Sequence, residues 1–145
     1  MKIRTMTTAA LATILVFSVA QARDTRLKLP IKDAMETVEA KDKLGTDVQF
    51  FFGSQATPAA AQKFGTYTSN KKTNFANKSD KEGCEWAFLS AMIALKQRAL
   101  AEGGNAVINI ESYYKKNQFS SETEYECGAG AFVGGVTLRG TVAKL

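Results

Sequence analysis

The chain predicts an α+β fold: one main amphipathic helix, about residues 80–102, packed on a small, mostly antiparallel sheet. A short N-terminal helix and one disulfide complete the expectation. Three observations carry it. Residues 79–103 show helical apolar spacing between a start signal and a stop signal. The stretches 47–52, 63–68, 105–110, 121–127 and 136–142 have the composition or two-residue alternation of strands. The two cysteines, Cys84 and Cys127, fall one on that helix and one on a strand.

The helix is bounded at both ends. Ser79-Asp80-Lys81-Glu82 has the form of a capping box, in which Ser79 accepts from a free backbone N–H and Glu82 reaches back. Trp86, Leu89, Ile93 and Leu100 share one face, widened by Phe88, Met92, Leu95 and Ala99. On that spacing Trp86 is expected to anchor the core. Gly103 can take the left-handed conformation that closes a helix. Asn105–Ile110 follows as a buried strand, with Ala106, Ile108 and Ile110 on one face and Val107 and Asn109 on the other.

Upstream, residues 23–29 read as polar and extended. Pro30 suits the first turn of a short helix in which Ile31, Met35 and Val38 share a face, and Gly45 ends the segment. In Asp47–Phe52, Val48, Phe50 and Phe52 face one way. Phe51 faces the other and calls for cover from a neighbouring element or a second copy. Ala59–Gln62 is expected to make one helical turn before the strand Lys63–Thr68. The polar run Ser69–Lys81 reads as a solvated loop. Its Lys71, Lys72, Lys78 and Lys81, beside a helix start, also admit an anion-binding loop.

Downstream, Ser112–Asn117 leads into a hairpin. Glu122, Glu124 and Glu126 alternate along Ser121–Cys127; at about 7 Å spacing they suit a solvent face, pairing with Lys115 and Lys116, better than a cation site. Gly128-Ala129-Gly130 reads as a flexible link. The strand Val136–Val142 sends Val136, Leu138 and Val142 inward, and Gly140 within it allows close backbone approach.

The length, 145 residues, suits one domain. Lys2 and Arg4, the apolar run Ala9–Val19 and the small-x-small site Ala20-Gln21-Ala22 read as a Sec-type signal peptide, residues 1–22. The apolar run is too short to span a bilayer. The expected product is therefore residues 23–145, soluble and exported to the periplasm or beyond. In that compartment Cys84 and Cys127 read as a disulfide, with a free thiolate pair as the alternative. Closing roughly 40 residues of chain would add roughly 4 kcal/mol.

Composition removes several functions. The chain has no histidine, so Ser-His and Cys-His nucleophiles and imidazole metal sites are absent. Neither G-x-x-x-x-G-K-[ST] nor G-x-S-x-G occurs. The net charge of +5, or +3 without Lys2 and Arg4, is too small and scattered to argue for nucleic acid. No catalytic residue, cofactor or metal ligand is expected. The candidate binding surface is Lys71 and Lys72 with Tyr113, Tyr114, Lys115 and Lys116; of the two consecutive tyrosines one is expected to pack and the other to stand exposed beside the cations.

These residues also carry a resemblance. Ser69-Asn-Lys-Lys-Thr-Asn74, Lys78-Ser-Asp80, Cys84-x-Trp86-Ala, Gly104-Asn-Ala-Val107, Ser112-Tyr-Tyr-Lys-Lys-Asn117, Glu126-Cys127 and Gly140-Thr141 resemble a family of small exported proteobacterial proteins. Leu29-Pro30 and Phe51-Phe-Gly53 extend the likeness over nearly all of residues 23–145. Members often carry the legacy name "excinuclease ATPase subunit"; the P-loop and zinc-finger cysteines that name implies do not occur here. More distantly, Ala-x-x-x-Gly-Gly-Asn-Ala-Val with the final Gly-Thr-Val strand is similar to the YbjQ-like domains. It is also similar to the disulfide-bonded domain of the Rcs stress-sensing lipoprotein. That likeness implies one main helix on a small antiparallel sheet, with oligomers common in the YbjQ-like group. The expected function is a non-enzymatic domain that binds an envelope protein or another envelope component. A small-ligand or metal-binding homo-oligomer is the alternative.

Overall fold

The computed structural model describes residues 23–145. The leader reading falls on residues 1–22 and lies outside them. In order, the elements are β1 (Thr25–Pro30), α1 (Ile31–Glu36), α2 (Val38–Leu44), β2 (Gln49–Phe52), β3 (Gln62–Asn74), α3 (Asp80–Ala101), β4 (Ala106–Ser112), β5 (Glu124–Ala129) and β6 (Val133–Lys144). A short 3-10 turn, Tyr114–Lys116, separates β4 from β5. The expected α+β class holds: α3 lies on a six-stranded mixed sheet, and Cys84 is bonded to Cys127. Among the described residues no helix is long and apolar enough to cross a membrane.

β6 is the spine of the sheet. One of its edges takes β3 along its whole length, from Gln62 opposite Lys144 to Asn74 opposite Val133. The other edge is shared by β5, through Gly135 and Gly134, and by β4, from Leu138 to Ala143. β1 pairs with β5 antiparallel, and β2 with β4 parallel. The Ser69–Lys81 loop is thus corrected. Its first half, with Lys71 and Lys72, is strand, because β6 begins at Val133 and offers ladder partners that far. Ala59–Gln62 makes no helical turn either: Ala61 N donates to Lys144 O at 2.8 Å, running into the ladder.

α3 starts as its sequence requires, Ser79 Oγ accepting from Glu82 N at 3.1 Å, and ends before Gly103 at φ 80°. Its buried row is Cys84, Ala87, Phe88, Ala91, Met92, Leu95 and Ala99. Trp86 (39 % exposed) and Leu100 (47 %) lie outside it, against expectation. The alanines explain the rotation. Small side chains let the helix backbone approach the sheet closely, and an indole cannot fit that gap. Phe88 sits at the centre, its ring centroid 4.4 Å from Tyr125 and 6.2 Å from Phe52. The disulfide, with Cα atoms 5.9 Å apart, ties the first turns of α3 to β5 beside it.

Three further local expectations change. The short N-terminal helix is two helices, because Thr37 Oγ1 accepts from Ala40 N at 3.2 Å and caps a new start; Val38 is left 79 % exposed. In β4, Asn109 takes φ 53° in a bulge that shifts the register between Ile108 and Glu111. Val107 and Ile110 therefore join the main core. Ala106 and Ile108 pack on the other side with Ala143, Phe51, Ala60 and Leu145. Phe51 thus receives cover from its own chain. In β5, Glu126 is buried, since β1 covers that edge and Arg26 reaches it at 4.0 Å. Nor does Lys115 meet these glutamates: it pairs with Asp24.

Candidate functional site

At one end of the sheet four segments converge: the start of β1, the end of β3, the β5–β6 hairpin and the turn after β4. The turn sets the geometry. Lys115 and Lys116 both take left-handed conformations, φ 50° and 62°, so the chain reverses within three residues. Tyr113 N donates to Thr137 O at 2.9 Å and Asn117 N to Tyr114 O at 3.0 Å, which fixes the turn to β6. The Tyr114 ring then lies directly over Gly128. A Cβ at Gly128 would collide with the Tyr114 hydroxyl, so this glycine is required by close packing rather than by a flexible link.

The result is a cleft of about 270 Å³ lined by Arg23, Asp24, Lys72, Tyr114 and Lys115 over a floor of Gly128, Gly130, Gly134 and Gly135. Its charges are only partly spent inside the molecule. Lys115 donates to Asp24, which lowers the Asp24 carboxyl below its ordinary value and raises the Lys115 amine. Arg23 is held by Asp80. Lys72 is exposed and meets no carboxylate among the described residues. The Arg26 guanidinium lies 5.4 Å from the Tyr114 ring centroid, behind the cleft wall.

The residues of the expected surface separate here. Lys72, Tyr114 and Lys115 come together. Lys71, one step along β3, points to the helix side, as neighbours on a strand must. There it lines a shallow hollow with Tyr67, Ser69 and Arg98. Tyr113 turns to the open face of the sheet, beneath the Arg139 guanidinium at 3.9 Å. Lys116 stays exposed on the turn. Arg23 and the glycine floor were not anticipated. The available signal was the dense Gly128, Gly130, Gly134, Gly135 spacing around the apolar Ala131-Phe132-Val133.

Two other hollows have different chemistry. The open face of the sheet holds a polar depression of about 680 Å³. In it Arg139 Nε donates to Glu111 Oε1 at 2.9 Å, and Gln118 Nε2 donates to Glu111 Oε2 at 2.8 Å. That carboxylate raises the Arg139 pKa, and the network satisfies itself. Beside α3, exposed Trp86 lines a groove of about 240 Å³ with Thr37, Glu39, Glu82 and Glu85. Among the described residues no three His, Cys, Asp or Glu side chains gather as metal ligands.

In chemical terms the basic cleft offers an ammonium group, a phenol and a backbone floor free of side chains. Those are donors for an anionic group, a carboxylate or a phosphate. Comparison with family models, with curated proteins and with solved structures gives no match for this chain.

Proposed function

We propose that the protein is a non-enzymatic, disulfide-stabilised binding module of the exported type, and that it holds an anionic group of an envelope component in the cleft at Lys72, Tyr114 and Lys115. The observation that carries this reading is the convergence of Lys72 and Arg23, each distant in sequence, with the neighbouring Tyr114 and Lys115 over a glycine floor. The Cys84–Cys127 bond supports the oxidising compartment. The carboxylate that shares the cleft, Asp24, is engaged by Lys115, which favours binding by the basic and phenolic donors over catalysis.

The test is site-specific photo-crosslinking in cells, with the crosslinker at Lys116, exposed on the turn beside the cleft. Capture of an envelope component that disappears on Lys72→Glu with Lys115→Glu, and survives Lys71→Glu, supports the reading. Capture indifferent to Lys72 and Lys115 removes the cleft from it.

A further inference from the structure

The tip of the β5–β6 hairpin is an apolar surface that no element covers among the described residues. Ala131, Phe132 and Val133 are exposed, Phe132 by 74 % and Val133 by 55 %. The tip is nonetheless firmly held. Gly130 N donates to Val133 O at 3.0 Å, and Phe75 N donates to Phe132 O at 2.7 Å. Beneath it the buried Phe75 ring packs so closely on Gly134 and Gly83 that a Cβ at either would overlap it. An aromatic ring is therefore presented to the outside from a rigid base.

Two lysines stand at the same end of the sheet as the tip. Asn74 lies opposite Val133 and Lys72 opposite Gly135, so Lys72 stands beside the hairpin. Lys78 Nζ donates to Asn74 O at 3.0 Å, which brings a second amine to the same end. Neither lysine meets a carboxylate among the described residues, whereas Arg23 and Lys115 are paired with Asp80 and Asp24. The surplus charge at the tip is positive.

An apolar tip with two lysines beside it that meet no carboxylate among the described residues suits a partner that is negative at its surface and oily beneath. The interfacial layer of an anionic bilayer has that profile. A folded protein partner fits less well. A stable protein interface needs about 800 Å² from each side with matched shape, and a convex tip of two large side chains supplies neither. A fluid surface asks for no shape match.

We propose that the β5–β6 hairpin inserts Phe132 and Val133 into the interfacial layer of an anionic membrane, with Lys72 and Lys78 at the headgroup phosphates. This rests on the reading that this end of the molecule faces the envelope, and it names the component as lipid.

Co-sedimentation with vesicles tests it, using protein purified as cells process it. Vesicles of phosphatidylethanolamine with phosphatidylglycerol should retain the protein, those of phosphatidylcholine should not, and retention should fall with salt. Phe132→Ser should weaken partitioning about tenfold or more, from the loss of one buried aromatic ring. Lys72→Glu and Lys78→Glu should each weaken it by about fivefold or more. Lys63→Glu, at the far end of β3, should leave it unchanged. Phe132→Trp should be quenched by brominated acyl chains beyond the signal of Trp86. An unchanged melting temperature shows that the variants fold. No retention by anionic vesicles, or retention indifferent to Phe132→Ser, overturns the lipid assignment. If a Lys116 crosslink to an envelope protein persists with vesicle binding absent, the lipid assignment fails and the binding module stands. Loss of both removes both.

Discussion

Behind the sheet, α3 lays Cys84, Ala87, Phe88, Ala91, Met92 and Ala99 against it with no measurable exposure. In front, beside the small apolar cluster of Phe51 and Ile108, the side chains are polar and satisfy one another sideways: Arg139 with Glu111, Glu111 with Gln118, Thr66 Oγ1 with Thr141 Oγ1 at 2.9 Å. The rear face earns its stability from burial and tolerates little change in volume. The front face and the hairpin end carry charge and exposed rings at small cost to folding. Recognition can be built there without disturbing the core. Lys71 and Lys72 show the boundary within a single dipeptide, one side chain on each face.

Substitutions behind the sheet should therefore move stability alone, and the largest effect is expected at its centre. Phe88→Ala should cost about 3–5 kcal/mol in urea unfolding, from the lost ring and the cavity left between Tyr125 and Phe52. Replacing both cysteines by alanine should cost about 4 kcal/mol, because the unfolded chain regains the freedom of the loop between them. A reduced protein that unfolds at the same urea concentration would break the link between α3 and β5 as a source of stability.

A smaller effect of opposite sign is expected at Tyr125. Its buried hydroxyl has no hydrogen-bond partner among the described residues. Tyr125→Phe should stabilise the protein by about 1 kcal/mol at neutral pH. Burial, with Glu85 and Asp33 adding to it, raises the phenol above its ordinary value of 10.0. A raised folded pKa means that stability is fully present below pH 10 and is lost as pH rises above it. Urea melts between pH 8 and 11 should show that alkaline loss in the parent and less of it in Tyr125→Phe.

The smallest effect belongs to the front face. Arg139→Ala breaks a part-exposed ion pair and should cost below about 1 kcal/mol. A loss as large as that of Phe88→Ala would show that the two faces do not divide the work as described.

Much of this architecture was legible because its signals are local. Ser79 and Gly103 bound α3 through their own backbone chemistry, and an even pair of cysteines points to a bridge wherever the compartment is oxidising. Val136, Leu138 and Val142 alternate inward as written. The expectations that changed depend on a partner distant in sequence. Periodicity could not choose Ala87 and Ala91 over Trp86 as the contact row, because that choice depends on how near the sheet lies. Polar residues from Ser69 to Asn74 become strand only because β6 runs alongside.

The candidate site divides in the same way. Lysines and tyrosines near 71–72 and 113–116 could be picked out as exposed chemistry. Their grouping could not, because Lys115 and Lys116 reverse the chain in left-handed conformations and Asn109 shifts a register. Residue type and near neighbours were enough to place the long helix and most strands, to make a bridge the expectation, and to exclude histidine chemistry. Long-range packing places Lys72, Tyr114 and Lys115 in one cleft and Lys71 outside it. That outcome turns on strand parity and on a glycine small enough to lie under a tyrosine ring.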